Sequence, residues 1–324
     1  MKIIIPGGSG QVGTLLARHF HSQGHEVIVL ARTPFSAPWK VLPWDGKTLG
    51  PWAAHLEGAD VVINLAGRSV NCRYTPKNMR QMMDSRIDST KRIGTAIAQC
   101  ATPPRLWLQM STATIYSHRY DAPNDDLTGQ IGGTESDVPA YWGYSIKIAQ
   151  AWEQAAVDAP TPATRKVMLR SAMVMSPDHG GIFDVLLTLV RRGLGGTAGD
   201  GRQYLSWIHE TDFIAAVQWL IDRDELNGPI NLASPDPLPN ADFMRTLRQT
   251  WGTRLGLPAA KWMLTIGAFF MRTDPELVLK SRRVIPARLT QSGFNFKFPT
   301  WRAAARDLCD RWRSGQPMLL LRPR

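Results

Sequence analysis

The sequence predicts an α/β protein built on a doubly wound parallel sheet, and three observations carry that reading. Apolar, β-branched runs alternate with amphipathic helical stretches through the first half of the chain. Several of these runs, DVVINLA and RLWLQMS among them, are mostly apolar without strict alternation, as strands covered on both faces are. The first strand runs straight into Gly7, Gly10 and Gly13, and an amphipathic stretch follows at once.

Taken in order, KIIIP is the first strand, GGSGQVG a glycine turn, VGTLLARHFHSQG a helix, and EVIVLA the second strand, ending at Ala31. Further strands are expected over 60–66, 105–111 and 166–170, with helical patterns between them. In such sheets ligands lie beyond the carboxyl ends of the strands. That places Gly7 to Gly13, Arg32, residues 66–67 and residues 111–114 along one rim. After Ser171 the pieces shorten, glycines cluster near Gly180 and Gly193, and prolines crowd 229–239, which reads as a smaller, loop-rich lobe. The expected division is a nucleotide-binding domain over 1–170, a mixed region over 171–256 feeding both sheet and lobe, a C-terminal domain over 257–313, and a mobile tail over 314–324.

A net charge of +11 fits a phosphorylated ligand, nucleic acid or an acidic membrane. The basic residues are scattered and no nucleic-acid module signature appears, which argues against nucleic acid. The apolar stretch 262–271 has about half the length of a membrane span, so it reads as a docking helix, with peripheral membrane contact as the alternative. Cys72, Cys100 and Cys309 match no disulfide framework or metal spacing and read as small apolar fillers. No signal peptide is visible, and a reducing cytoplasm is the expected setting.

The glycine turn points backbone N–H groups and the positive end of a helix into one gap, which suits a pyrophosphate. Gly7, Ser9, Gly10, Gln11, Val12 and Gly13 are the candidate contacts, with Leu65, Ala66 and Gly67 on the neighbouring strand end. The alternative is a glycine-rich connection without a ligand. Enzymes that use NAD usually end the second strand on a carboxylate that binds the ribose hydroxyls. Here the chain reads Leu30, Ala31, Arg32, and the planar guanidinium suits a 2'-phosphate. NADP is therefore expected in preference to NAD. The other reading of Arg32 is a solvated strand-end residue.

GGSGQVG, VINLAG, MSTATIY and Lys147 on the next helix together resemble an extended short-chain dehydrogenase/reductase. RYT after VINLAG, SRIDSTKRIGTAI, AWE after Lys147 and SRRVIPARLTQSGFNFKFP resemble one branch, the YfcH-like NAD(P)-dependent "epimerase family proteins". The resemblance covers nearly the whole chain. It implies a Rossmann-like cofactor domain, a smaller α+β C-terminal substrate lobe that includes a domain of unknown function, NADP binding, and an unassigned substrate.

The wider superfamily uses a Ser or Thr after this strand and a Tyr-x-x-x-Lys pair on the next helix. The Lys charge and the oxidised nicotinamide lower the Tyr pKa so that a phenolate can take a hydroxyl proton. Moving it three units from about 10 is worth roughly 4 kcal/mol. In this chain the position four before Lys147 is Gly143, and Tyr144 stands one residue late, about 100° around the helix. Residues three apart still touch, so Tyr144 can approach Lys147. Ser111, Tyr144 and Lys147 are the catalytic candidates, with Lys147 also holding the nicotinamide ribose. Thr112, Tyr116, Tyr141 and Gly181 are the candidate pocket. His209 and Asp212 in SWIHETD are expected to be structural, and Arg86 and Lys91 to be solvated or at an interface.

Two functions follow from these residues. One is an NADP-dependent oxidoreductase or epimerase-like enzyme acting on a small hydroxyl or carbonyl substrate, a nucleotide sugar being one candidate. The other is an inactive NADP-binding sensor or partner-docking module, monomeric or homodimeric in either case.

Overall fold

A computed structural model describes residues 1–136, 138–260 and 274–315. The apolar stretch 262–271, and all but the first two residues of the expected tail, lie outside the described residues. The chain runs β1 (Lys2–Pro6), α1 (Gln11–Ser22), β2 (Glu26–Ala31), β3 (Lys40–Pro43), β4 (Val61–Asn64), α2 (Pro76–Ala98), β5 (Leu106–Thr112), α3 (Gly143–Val157) and β6 (Arg165–Ser171). It continues through β7 (Met173–Met175), α4 (Ile182–Arg191), β8 (Tyr204–Leu205), β9 (Trp207–His209), α5 (Glu210–Asp222), β10 (Gly228–Leu232), β11 (Leu238–Pro239) and α6 (Asn240–Trp251). After the undescribed stretch come α7 (Glu276–Leu279), α8 (Ala287–Gln291) and α9 (Trp301–Arg313).

Seven parallel strands form the main sheet in the order β10-β6-β5-β4-β1-β2-β3. β1 alternates between two cores. Ile3 and Ile5 join Leu16, Phe20, Phe213 and Val217 on the α1 and α5 side. Ile4 joins Ile93, Ile97, Trp107 and Ala156 on the α2 and α3 side. Both faces are thus covered, which is why the strands carry no polar alternation. The chain leaves β1 toward β2 on one side and returns to β4 on the other, so the switch point where ligands bind falls beside β1.

Local rules explain the helix starts. α2 begins at Pro76 behind Thr75, whose hydroxyl accepts from the Asn78 N–H at 3.2 Å. α5 begins behind His209, whose ring nitrogen accepts from Thr211 N–H. α1 begins behind Gly10 with no side-chain cap, leaving its first N–H groups available.

The remainder packs a separate apolar cluster from α4, α6 and α9, where Phe243 stacks on Trp301 with ring centroids 3.9 Å apart. Two strands of the main sheet fall outside the five expected ones. β3 has only four residues, and β10 begins Gly-Pro in a proline-rich stretch, yet it pairs with β6 over five residues. Pairing with a formed sheet edge overrides weak local preference.

Candidate functional site

The glycine turn sits between the ends of β2 and β4. Gly7 N–H donates to Leu30 C=O at 2.8 Å, and Leu65 N–H donates to Pro6 C=O at 2.8 Å. Gly7 has φ +76°, and a Cβ there would lie 2.6 Å from the Ala66 backbone. At Gly13 a Cβ would lie 2.4 Å from Gly8 Cα, so the helix rests directly on the turn. Gly10, exposed, would meet nothing within 4 Å. Two glycines are therefore required by packing and one borders open space, at the mouth of an uncapped helix. Such an arrangement suits a pyrophosphate.

Gln11 adds a second sign. Its Nε2 is buried and makes no hydrogen bond among the described residues. It lies so close to Gly181 that a Cβ there would be 2.1 Å from it. Gly181, expected in the substrate pocket, thus packs on the phosphate turn. Its loop is held there by the Arg18–Asp178 ion pair at 3.0 Å.

Arg32 lies one residue past β2, exposed, with no ion pair or hydrogen bond among the described residues. It is free to take a phosphate on the adenosine side. Asn64, at the end of β4, accepts from Ala66 N–H at 3.1 Å and donates to Gln109 at 2.9 Å, fixing the turn that carries Leu65, Ala66 and Gly67.

The hydroxyls on β5 divide. Ser111 donates to Glu153 Oε1 at 2.6 Å, and Glu153 is gripped by Arg170 through two bonds of 2.8 Å. Arg170 also donates to the Tyr116 hydroxyl at 3.0 Å, which donates to Asn231 at 2.9 Å. Ser111 and Tyr116 therefore belong to a buried network linking β5, α3, β6 and β10, and neither presents its oxygen to the cleft. Thr112 is half-buried, and its oxygen caps Thr114 N–H at 3.1 Å, which leaves the hydroxyl proton free to donate.

On α3, Tyr144 is half-buried and Lys147 exposed, and neither makes a hydrogen bond among the described residues. They share one helix with a spacing of three, as the sequence requires. Tyr141, in the turn before the helix, is exposed and donates to Asp274 at 3.3 Å.

Opposite this rim the C-terminal segment brings a polar cluster that the sequence reading missed. Ser145 donates to Glu276 Oε2 at 2.7 Å, while Glu276 Oε1, in a fully buried residue, lies 3.9 Å from Lys280 Nζ and has no hydrogen-bond partner among the described residues. Lys280 donates to Thr114 C=O at 2.9 Å and Arg282 donates to the Thr114 hydroxyl at 3.0 Å. Ser281 and Arg283 tie the same segment to residues 118–121. Burial raises the Glu276 carboxyl above its ordinary value and pushes the Lys280 ammonium down to about 8, with Arg282 repelling it further. Tyr74 joins from the loop before α2. Burial, then Glu276 and Asp274, raise its phenol above the ordinary value. The RYT and SRR motifs marked these positions, but their spacing holds no signal that they meet.

Arg86 departs from expectation. It is buried, with its guanidinium 4.8 Å from the Trp152 ring centroid. Lys91 is exposed, as expected. His209 is fully buried with its Nε2 3.0 Å from Asp307, and Asp212 accepts from the N–H groups of Lys297 and Phe298, so both tie lobe to sheet. No cluster of metal-ligating residues occurs among the described residues, and no described helix is long and apolar enough to cross a membrane.

Sheet order, glycine turn and rim define a dinucleotide-type fold with an appended lobe, and comparison with known proteins gives it a family. Residues 3–233 match the NAD dependent epimerase/dehydratase family, and residues 259–308 match a domain of unknown function, DUF1731. The chain belongs to that epimerase/dehydratase family, of the extended short-chain dehydrogenase/reductase type. It is 28% identical to the human epimerase family protein SDR39U1 over 95% of its own length and 99% of the relative. It is 29% identical to epimerase family protein ML0860 of Mycobacterium leprae, covering 92% of each. The crystal structure of human SDR39U1 with NADPH superposes with a TM-score of 0.83 at 27% identity, over 96% of this chain and 99% of that one.

Proposed function

We propose that the protein is an NADP-dependent oxidoreductase or epimerase-like enzyme acting on a small hydroxyl or carbonyl substrate. The observation that carries this reading is the uncapped, glycine-lined start of α1 with the unpartnered Gln11 amide beside it and the free Arg32 at the end of β2. The relative solved with NADPH supports it. Gly7, Ser9, Gly10, Gln11, Val12 and Gly13 would hold the pyrophosphate, Arg32 the 2'-phosphate, Leu65, Ala66 and Gly67 the adjoining wall, and Lys147 the nicotinamide ribose. The bound cofactor supplies hydride exchange at its nicotinamide ring.

The chain's own residues supply the rest. Thr112 takes over the role expected of Ser111, because its hydroxyl proton is free to polarise a substrate oxygen while that of Ser111 is bound to Glu153. Tyr144 handles the proton, with the Lys147 charge nearby favouring its phenolate. The alternative, a cofactor-binding sensor without turnover, draws on the displaced tyrosine register.

Calorimetric titration with NADPH and then NADH at matched salt tests the reading. Tight NADPH and weaker NADH binding is the expected result, and failure of both to bind overturns it. With the cofactor site established, turnover by Thr112→Val and Ser111→Ala separates the two hydroxyls.

A further inference from the structure

Three arginines lie buried or half-buried in this part of the molecule, and two of them donate to several acceptors each. Arg282 donates to the Thr114 hydroxyl and to the carbonyls of Leu277, Lys280 and Glu276. Arg170 has both oxygens of Glu153 and the Tyr116 hydroxyl. Arg86 differs. Its one hydrogen bond goes to Met82 C=O at 3.0 Å, in its own helix, and no carboxylate pairs with it among the described residues. A guanidinium carries five N–H donors, and a buried cation without a counter-charge is costly. Burial accordingly pulls its pKa down to about 10.

The surroundings show where a counter-charge would enter. Exposed Gly67 lies against the group, and a Cβ there would stand 3.2 Å from the guanidinium carbon, so a larger residue would crowd the arginine. The Trp152 ring of α3 backs the guanidinium on another side, and Tyr74 lies near enough to interact with it. Tyr74 also neighbours Ser145, which follows Tyr144. Arg86 therefore sits between the Gly67 wall and the Tyr74–Ser145 group, in which Ser145 is next to Tyr144 in the chain.

Resting on the enzymatic reading above, we infer that Arg86 is the anchor for a carboxylate on the substrate, reached past Gly67 and seated between Tyr74 and the Arg86 N–H groups. A singly charged group fits better than a phosphate dianion, because Asp274 and Glu276 act on neighbouring Tyr74 and repel added negative charge. The substrate class is then a small hydroxy or oxo acid.

The test uses formate as probe, with chloride-matched salt, on the wild type, Arg86→Met and Arg86→Lys, each with and without NADPH. The expected result is a rise in wild-type Tm of about 2–3 °C at roughly ten times Kd, absent in Arg86→Met and reduced in Arg86→Lys, with NADPH affinity unchanged within about twofold. Arg86→Lys keeps the comparison alive if the methionine variant does not fold. No formate response in the wild type, or an equal response in the variants, overturns the inference. A tenfold loss of NADPH affinity in Arg86→Met assigns the arginine to the cofactor instead, and an equal response to inorganic phosphate overturns the carboxylate. If the wild type binds formate through Arg86 but no NADPH, the anion subsite stands and the cofactor reading falls.

Discussion

The two sides of the cleft are made of different material. On the proposed cofactor side, the turn from Gly7 to Gly13 is almost all backbone, held by contacts so close that a single methyl group would collide with a neighbouring main chain. On the proposed substrate side, Tyr74, Arg86, Ser145, Glu276, Lys280 and Arg282 come from four separate segments, and they meet through side-chain bonds and buried charge. Backbone sites tolerate change in the surrounding surface but no added volume. Sites made of buried charge fail when one partner is removed, because the other is left desolvated.

The largest effect should come from the backbone side. Gly13→Val drives a branched side chain into Gly8, whose Cα would already lie 2.4 Å from a Cβ. NADPH affinity should fall at least a hundredfold, about 3 kcal/mol or more, in a calorimetric titration. Retained binding would show that the turn does not form the cofactor seat.

Next comes the charged side. Arg282→Met removes a guanidinium that four acceptors share, and denaturant unfolding should show a loss of about 3–5 kcal/mol. NADPH affinity at a temperature where the variant is folded should stay within threefold. A parallel collapse of affinity would mean that the two sides are one mechanical unit, and the contrast would fail.

The contrast also explains what could be read from the sequence. Glycines at fixed offsets between a strand and a helix have few structural explanations, so Gly7, Gly10, Gly13 and the missing carboxylate at Arg32 were legible. The parallel sheet was legible too, since DVVINLA and RLWLQMS, lacking strict alternation, suggest strands covered on both faces. A buried charge has no such periodic mark. Arg86 sits in SRIDST among polar neighbours that suit a solvated helix face, and only the packing of Trp152 and Gly67 against it reveals otherwise. Ser111 and Thr112 are adjacent hydroxyls on one strand, so neighbouring side chains point to opposite faces. Which one meets Glu153 depends on α3, far along the chain.

A smaller effect tests the residue proposed to read the 2'-phosphate. Arg32→Ala should lower NADPH affinity by about 10–100-fold and leave NADH affinity nearly unchanged, since only the former carries the 2'-phosphate. Paired titrations read this directly. Unchanged preference would make that half of the cleft purely backbone in character and leave the choice of cofactor to another group.

The smallest effect concerns the joint between lobe and sheet, where His209 meets Asp307. The ring accepts from Thr211 N–H through Nδ1, so the proton sits on Nε2, facing Asp307. Burial lowers its pKa more than Asp307 raises it, and Arg311 and Lys297 add repulsion. A histidine whose folded pKa lies below its unfolded one contributes stability that is complete above about pH 6.5 and declines as pH falls below it. The raised carboxyls of Glu276 and Asp274 run with the opposite sign, gaining stability on acidification, so wild-type unfolding alone mixes the two. The difference between wild type and His209→Gln isolates the ring. Its advantage for the wild type should be greatest near pH 7 and shrink toward pH 5. A difference that is flat over this range would place the histidine outside the charge balance of the joint and leave that joint held by Asp212 and the apolar contacts around Phe298.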